Sequence, residues 1–329
     1  MGKNVVTVYF NFRNKGGAQN LALNLAGALS NEAMPVVLTD TPVEQIYPDY
    51  KKRAKFIKFG INNIVKYMKS GYVFVSHDRR STTRLMLFKS LFRNLRLLHV
   101  SHSVFENLRF ATILPPNIIS ISTAVTNNLR SYFKIAPYRI TYIPNGLPDW
   151  GVRQPRNART IRILMAGRIC SIKRQIDIAE AFFKANPRNI TLNFAGVGED
   201  ADILKRKLEG KSNVFYLGEI NISERIEEFD YILLFSKKEG LPLSLIEACM
   251  SGKPMLTNDL PSVMDVNVNG VTGYVYDSLD SLIASLSTLP QPATLEYRDL
   301  CNNARKRYEE LFTECKMVER YRQVLKKLQ

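Results

Sequence analysis

Two acids, Glu239 and Glu247, flank a Gly240-Leu241-Pro242 turn in the stretch KKEGLPLSLIEACMSGKP, residues 237–254. Proline suits the first turn of a helix, where its missing N–H would have no partner anyway, so Pro242 is expected as the first helical residue. Glu239 and Gly240 then lie in the loop before the helix, and Glu247 lies within its first two turns. The unpaired amides of Leu243 and Ser244 make a positive helix end suited to a phosphate or to the oxygens of a polar ligand. The same dipole favours an acid in the early turns without any ligand, and the residues alone leave both readings of Glu247 open.

A second group is cationic. In MAGRICSIKRQ, Gly167 permits a tight turn after a strand, and Arg168 and Lys173 stand across the entry to a helix. Arginine offers a fixed fork of donors and lysine a mobile point charge, a pairing able to clamp a diphosphate. A solvated basic helix end is the alternative. Of the three histidines, His77 and His102 each end a strand-like run, while His99 lies inside one and reads as packed core. Asp200 and Asp202 have an acid-x-acid spacing that could hold a divalent ion, but a helix start favours acids on its own account. No His/Cys cluster suggests zinc, and no metal is expected.

The elements that must position these residues repeat a simple order. An apolar strand, NVVTVYF, leads through the polar glycine loop NFRNKGGAQN to the helix-period LALNLAGALS and a second strand, MPVVLTD. YVFVSH, LRLLHVSH, NIISIS and RITYIPNG are further strands, with INNIVKYMKS and the basic RSTTRLMLFKSLFRNLR as helices between them. After GVRQPRNART the pattern restarts with IRILMAG, ITLNFAG, NVFYLG, YILLFS, PMLTN and TGYVYD as strands, alternating with RQIDIAEAFFKA, DADILKRKLEG and SERIEEF. Strand-helix alternation of this kind gives two doubly wound α/β sheets, and ligands of such sheets bind at the carboxyl ends of the strands. The default site is the cleft between two sheets that face one another. The expected division is a domain over 1–150, a linker over 151–160, a second domain over 161–312 and a terminal helix over 313–329.

Composition narrows the function classes. The 329-residue chain is 45% hydrophobic, enough for two real cores. No apolar run approaches a membrane span, and the start, MGKNVVTVYFNF, lacks signal-peptide architecture, so export is not expected. Cys170, Cys249, Cys301 and Cys315 show no Cys-x-x-Cys spacing and read as reduced thiols of a cytoplasmic protein. Residues 1–150 hold 20 Lys and Arg against 7 Asp and Glu, a net +13, whereas the remainder holds 26 against 23, a net +3. An excess of that size favours a polyanionic partner for the first half.

The order GRICSIKRQIDIAEAF, LNFAGVGED, NVFYLGEI, EGLPLSLIEACMSGKP and GVTGYVYD resembles the retaining family 4 glycosyltransferases of the GT-B fold. GGAQNLALNLAGALS and YIPNGLP are also similar to that family, as is the terminal helix, which in such enzymes packs back on the first domain. The resemblance implies an acceptor-binding first domain and a nucleotide-sugar-binding second domain, both Rossmann-like. It further implies that Glu239, with the Gly240–Leu243 backbone and Ser244, holds the donor sugar and phosphates, and that Glu247 bonds the ribose. Arg168 and Lys173 would neutralise the departing diphosphate, and Gly16 and Gly17 would admit it closely. His102 matches the active-site histidine, with His77 the second choice. A UDP-sugar is the favoured donor, with no cofactor and no metal. Two departures weaken the acceptor side: Gln19 stands where many relatives carry an acid, and Pro261-Ser262 replaces a commonly glycine-rich turn.

The basic helix candidate places Arg80, Arg84, Lys89, Arg93 and Arg96 around apolar residues, a pattern able to lie on an anionic membrane or to cover a core with a solvated face. A lipid-linked glycan acceptor, peripheral attachment to the inner face of the cell membrane and a role in bacterial surface polysaccharide synthesis are the corresponding expectations. A pI of about 9.7 also fits a nucleic-acid-binding protein, but no helix-turn-helix, RNA-recognition or zinc-finger signature is present, and no nucleic-acid partner is expected. A sugar-nucleotide epimerase on the same architecture is the remaining alternative.

Overall fold

The computed structural model describes residues 4–154 and 159–328. The chain forms two compact units: one runs up to Gly146 and includes the segment from Glu314 onward, and the other is Leu147–Thr313.

The first unit is built on seven parallel strands, β1 (Val5–Val8), β2 (Val36–Thr39), β3 (Lys55–Lys58), β4 (Val73–Ser76), β5 (Arg96–Ser101), β6 (Asn117–Ser120) and β7 (Ile140–Tyr142). They lie in the order β3-β2-β1-β4-β5-β6-β7. Strands β1, β2 and β4 are buried along their whole length, as expected for β-branched runs covered on both faces. The helix Gly17–Leu29 buries Leu21, Leu25 and Leu29 on one side. Asp78 caps the helix Arg79–Leu91 by accepting from the Ser81 amide at 2.8 Å, a contact of the kind that stabilises a helix by about 1 kcal/mol.

The terminal helix, Glu314–Lys327, belongs to this unit and buries Met317, Val318, Tyr321 and Leu325. Each such side chain removed from water contributes about 1.5–3 kcal/mol. The Arg322 guanidinium adds a bond to the Ala28 carbonyl at 3.2 Å, fixing the helix to the end of Gly17–Leu29.

Three local expectations need correction. The basic helix ends at Leu91, because Phe92 leaves helical backbone at φ −119° and ψ 85° and Leu95 dives into the core. Arg93 therefore sits in the following turn and Arg96 opens β5. Strand β3, KFIK, escapes notice because a lysine stands at each end of a half-exposed edge strand, a composition that also discourages edge-to-edge pairing. The first unit also ends at Gly146, before the expected boundary at 150, and residues 147–153, including the first three of the expected linker, are held by the second unit. There the Leu147 amide donates to the Phe312 carbonyl at 3.0 Å and the Arg153 amide to the Ser251 carbonyl at 3.0 Å. The Trp150 indole also bonds Ser251 Oγ at 2.9 Å. Residues 155–158 of that expected linker lie outside the described residues.

The second unit has six parallel strands, β8 (Ile161–Ala166), β9 (Ile190–Ala195), β10 (Val214–Tyr216), β11 (Tyr231–Leu234), β12 (Met255–Asn258) and β13 (Gly273–Tyr276), in the order β10-β9-β8-β11-β12-β13. Helices Gln175–Ala185, Leu243–Ser251 and Leu295–Leu311 pack on it. Buried tyrosines in the core keep their hydroxyls paired: Tyr231 donates to the Pro290 carbonyl at 2.8 Å and Tyr297 to the Asp230 carbonyl at 2.6 Å. Both sheets thus reverse direction of growth once, between β1 and β4 and between β8 and β11. Loops leaving those four strands are where a ligand of this sheet type binds.

Candidate functional site

In the second unit the two loops at the reversal carry the cationic and acidic candidates. Lys173 ends the loop after β8, and Glu239 stands in the loop after β11. Their side chains form an ion pair, Lys173 Nζ to Glu239 Oε1 at 2.5 Å, with Glu239 only 9% exposed. The pair is held by backbone bonds that no spacing in the sequence announces. Ile172 accepts from the Lys237 amide at 2.8 Å, which ties one loop to the other. Gln175, almost fully buried, donates to the Arg168 carbonyl at 2.9 Å and accepts from the Cys170 amide at 3.3 Å. Ser262 Oγ donates to the Glu239 carbonyl at 3.0 Å. The Pro261-Ser262 departure therefore has a structural use, since its serine supports the acidic loop.

Two glycines of FAGVGED explain how the loop after β8 can sit so low. A Cβ on Gly196 would come within 2.0 Å of the Gly167 carbonyl oxygen, and one on Gly198 within 2.1 Å of the Ile169 carbonyl oxygen. Gly196 also has φ +130°, a conformation that side chains resist. The two loops run in backbone contact, with the Ile169 amide donating to the Val197 carbonyl at 3.0 Å.

Arg168 shares this loop with its side chain exposed. Leu243 opens the helix Leu243–Ser251, while Pro242 precedes it as the cap at φ −74° and ψ 115°, one position outside the expected place. The reason is that its extended backbone turns its carbonyl toward the helix, where it accepts from the Leu245 amide at 3.2 Å. Among the described residues Glu247 makes no side-chain hydrogen bond or ion pair, although burial raises its carboxyl from 4.5 to about 7. The structure thus brings Lys173 and Glu239 into contact, while Arg168 and Glu247 stand on the same two loop-helix junctions with no side-chain hydrogen bond or ion pair to that pair among the described residues.

The Glu247 shift fixes a pH dependence. Between about pH 4.5 and pH 7 the folded state binds the proton that the unfolded state has released, so stability falls as pH rises through that window. The loss is on the order of 3 kcal/mol at most, since one pKa unit corresponds to about 1.36 kcal/mol. Denaturation midpoints of Glu247→Gln should accordingly lose this slope. A slope unchanged in the variant would show that Glu247 is not its source.

In the first unit the corresponding loops carry the remaining candidates. Gly16 caps the helix Gly17–Leu29 in extended backbone, and its amide donates to Tyr50 Oη at 2.9 Å. Gln19 folds over this helix start to reach the Asn11 carbonyl at 3.2 Å. A Cβ on Gly16 would meet only the mobile end of Gln19. His77 follows β4 and His102 follows β5, and the adjacent strands bring His77 Nδ1 within 2.9 Å of His102 Nε2. Both histidines line a cavity of 320 Å³ together with Tyr9, Asp78 and Arg80. His99 is buried in β5 and bonds Thr82 Oγ1 at 2.8 Å. A larger cavity of 820 Å³ in the second unit, lined by Arg153, Arg298 and Lys306 among others, includes none of the candidate residues.

Two of the five basic residues have definite partners. Arg84 pairs with Asp40 at 2.5 Å and lies over the Phe10 ring. Lys89 donates to the Leu95 carbonyl at 2.5 Å, and burial lowers its pKa. Counted by unit, the first holds 25 Lys and Arg against 8 Asp and Glu, and the second 21 against 22. The whole charge excess therefore belongs to the first unit. No helix of the described residues is long and apolar enough to cross a membrane.

Comparison with known proteins bears on both units. Residues 150–307 match the family "Glycosyl transferases group 1". A stretch of 99 residues is 33% identical to the O-antigen biosynthesis glycosyltransferase WbnH of Escherichia coli, covering 30% of this chain and 29% of that protein. Another of 156 residues is 29% identical to the N-acetyl-alpha-D-glucosaminyl L-malate synthase of Bacillus anthracis, covering 46% of this chain and 41% of that one. The matched stretches thus span less than half the length of these curated relatives. Among solved structures, Anabaena Alr3699/HepE in complex with UDP and glucose superposes with a TM-score of 0.80 at 15% identity, over 98% of this chain and 99% of that one. The lipopolysaccharide outer core galactosyltransferase WaaB, in its apo form, gives 0.74 at 15% identity, again over 98% and 99%. At such identities the superpositions establish the fold, a GT-B-like pair of parallel α/β sheets.

Proposed function

We propose, from the match of residues 150–307 to the glycosyl transferases group 1 family, that the chain transfers a sugar from a nucleoside-diphosphate sugar to an acceptor hydroxyl with retained anomeric configuration. The observation that carries the reading is the Lys173–Glu239 pair, set where the second sheet reverses. A diphosphate docking there exchanges Glu239 for phosphate oxygens as the partner of Lys173. Glu239 is then free to accept from sugar hydroxyls. In this reading Arg168 adds a second cation beside the same phosphates, and Glu247 accepts from the ribose.

The transfer needs no protein nucleophile. As the glycosidic bond breaks, negative charge grows on the diphosphate, and fixed cations stabilise it without reorganising, often the largest single contribution to catalysis. The acceptor oxygen attacks from the face the phosphate leaves, and its proton passes to the departing phosphate oxygen. UDP-glucose is the first donor to try, because HepE is a structural neighbour in complex with UDP-glucose, and O-antigen or related surface glycans are the acceptor class, because WbnH is an O-antigen enzyme. Incubation with UDP-, GDP- and ADP-linked sugars tests the proposal. Release of a nucleoside diphosphate with sugar transferred or hydrolysed supports it, whereas an isomerised nucleotide sugar as sole product would assign an epimerase instead.

The acceptor side includes an anionic membrane surface. Arg79 bonds the Asn107 carbonyl at 2.8 Å and the Ile113 amide bonds Thr83 Oγ1 at 3.2 Å, so the loop 105–113 lies against the helix Arg79–Leu91. Leu91 at 76% exposure and Phe110 at 94% stand out from this helix and loop, on the unit that holds all the excess positive charge. Anchors of this composition join apolar insertion to attraction for anionic lipid. Flotation with phosphatidylglycerol vesicles should carry the protein at low salt. Phe110→Ser combined with Leu91→Ser should release it, and equal flotation of that variant would remove these residues from the surface.

A further inference from the structure

We infer that His77 is a positioning residue for His102: through the hydrogen bond between them the two rings share one tautomer, so that His77 settles which nitrogen of His102 carries its proton. The inference deepens the proposed transfer and rests on it only in giving His102 a part in that reaction.

The geometry sets the proton count. His77 Nδ1 lies 2.9 Å from His102 Nε2, and the rings are nearly parallel at 22° with centroids 5.2 Å apart. The outer nitrogens, His77 Nε2 and His102 Nδ1, are buried and have no hydrogen-bond partner among the described residues. Two neutral imidazoles carry two ring protons on four nitrogens, and a nitrogen-nitrogen bond requires one proton between the rings. When His77 donates, His77 Nε2 is bare and His102 keeps its other proton on Nδ1. When His102 donates, His102 Nδ1 is bare and His77 carries its proton on Nε2. In both cases the rings are the same tautomer, and the outer nitrogens are opposite in character.

The charged groups beside the pair leave the two rings to each other. The Asp78 carboxylate accepts from the Phe10 amide at 3.0 Å and from the Ser81 amide and hydroxyl at 2.8 Å each. Arg79 is committed to Asn107 and to the face of the Phe105 ring. His99 is bonded to Thr82, and Tyr9 and Arg80 complete the titratable lining. Burial pushes His102 down to about 4 and His77 well below its ordinary value, so both rings are neutral at pH 7.

Histidine-selective 15N NMR of the full chain at pH 7 reads the tautomers directly. Both His77 and His102 should be neutral and protonated at the same ring position. Opposite tautomers, or an imidazolium at either site, would overturn the inference without touching the proposed transfer. His77→Leu should lower kcat/KM for UDP-glucose by about tenfold, with the His102 tautomer altered, as for other residues that orient a catalytic imidazole. His77→Asn, which keeps a polar atom near the Nδ1 position, should recover most of that loss. Equal activity and an unchanged His102 signal in both variants would also reject the positioning role. Loss of activity in the wild type with matched tautomers would instead reject the transfer and keep the pair.

Discussion

Lys173→Ala should lower kcat for nucleotide-sugar turnover by about two to three orders of magnitude, the range measured when one fixed donor to a developing oxyanion is removed. The effect belongs in kcat because charge on the diphosphate is greater in the transition state than in the bound donor. The same substitution leaves Glu239, which is 9% exposed, without its cation. Breaking a sheltered pair from one side costs more than removing both partners. The paired loss has a distinct signature: Glu239→Gln in the Lys173→Ala background should cost far less than Glu239→Gln alone, since the two side chains act as one unit. Turnover of Lys173→Ala at the wild-type rate would remove the ion pair from the chemistry.

Gly196→Ala should lower the melting temperature of the second unit by roughly 4–24 °C. A Cβ there lies 2.0 Å from the Gly167 carbonyl oxygen and must be carried at φ +130°. Overpacking and backbone strain each cost about 1–3 kcal/mol, and in a unit of this size each kcal/mol moves the midpoint by roughly 2–4 °C. Gly210→Ala separates the two causes, because Gly210 has φ +73° but nothing within 4 Å of a built Cβ. Strain alone should cost that variant about 1–2 kcal/mol. Calorimetric transitions displaced equally in the two variants would mean that the contact with Gly167 carries no weight. The displacement of the Gly167–Lys173 loop in Gly196→Ala should also weaken nucleotide binding, although residue 196 need not touch the ligand.

Most of the framework can be read along the chain because both sheets are parallel. Buried strands such as VVTV and YILL are continuous apolar runs, each followed by a polar loop and a helix, so strand ends and candidate sites coincide. Glu239, Lys173 and Arg168 declare themselves as charged residues at such ends. What supports them does not, because the supports are side chains bonded to backbone atoms: Ser262 to the Glu239 carbonyl and Gln175 to the Arg168 carbonyl. Neither residue type is unusual, and neither is near its partner in a recognisable pattern. The histidine pair is hidden for another reason. His77 and His102 become neighbours only because β4 and β5 are adjacent in register, Ser76 opposite His99. The available signal was that each histidine directly follows a strand. Boundaries were least legible where a side chain overrode the local pattern, as at Leu95, whose burial stops the basic helix at Leu91.

Calorimetric titration of nucleoside diphosphates tests the cationic clamp most directly. UDP, GDP and ADP are each titrated into the wild-type chain and into Arg168→Ala combined with Lys173→Ala, with the parent nucleosides as controls. Whichever diphosphate the wild type binds should lose at least about a hundredfold in affinity, since hydrogen bonds to charged groups contribute roughly 1.5–3 kcal/mol each, while its nucleoside binds both proteins alike. A diphosphate held equally well without Arg168 and Lys173 would place its charge elsewhere and contradict the account.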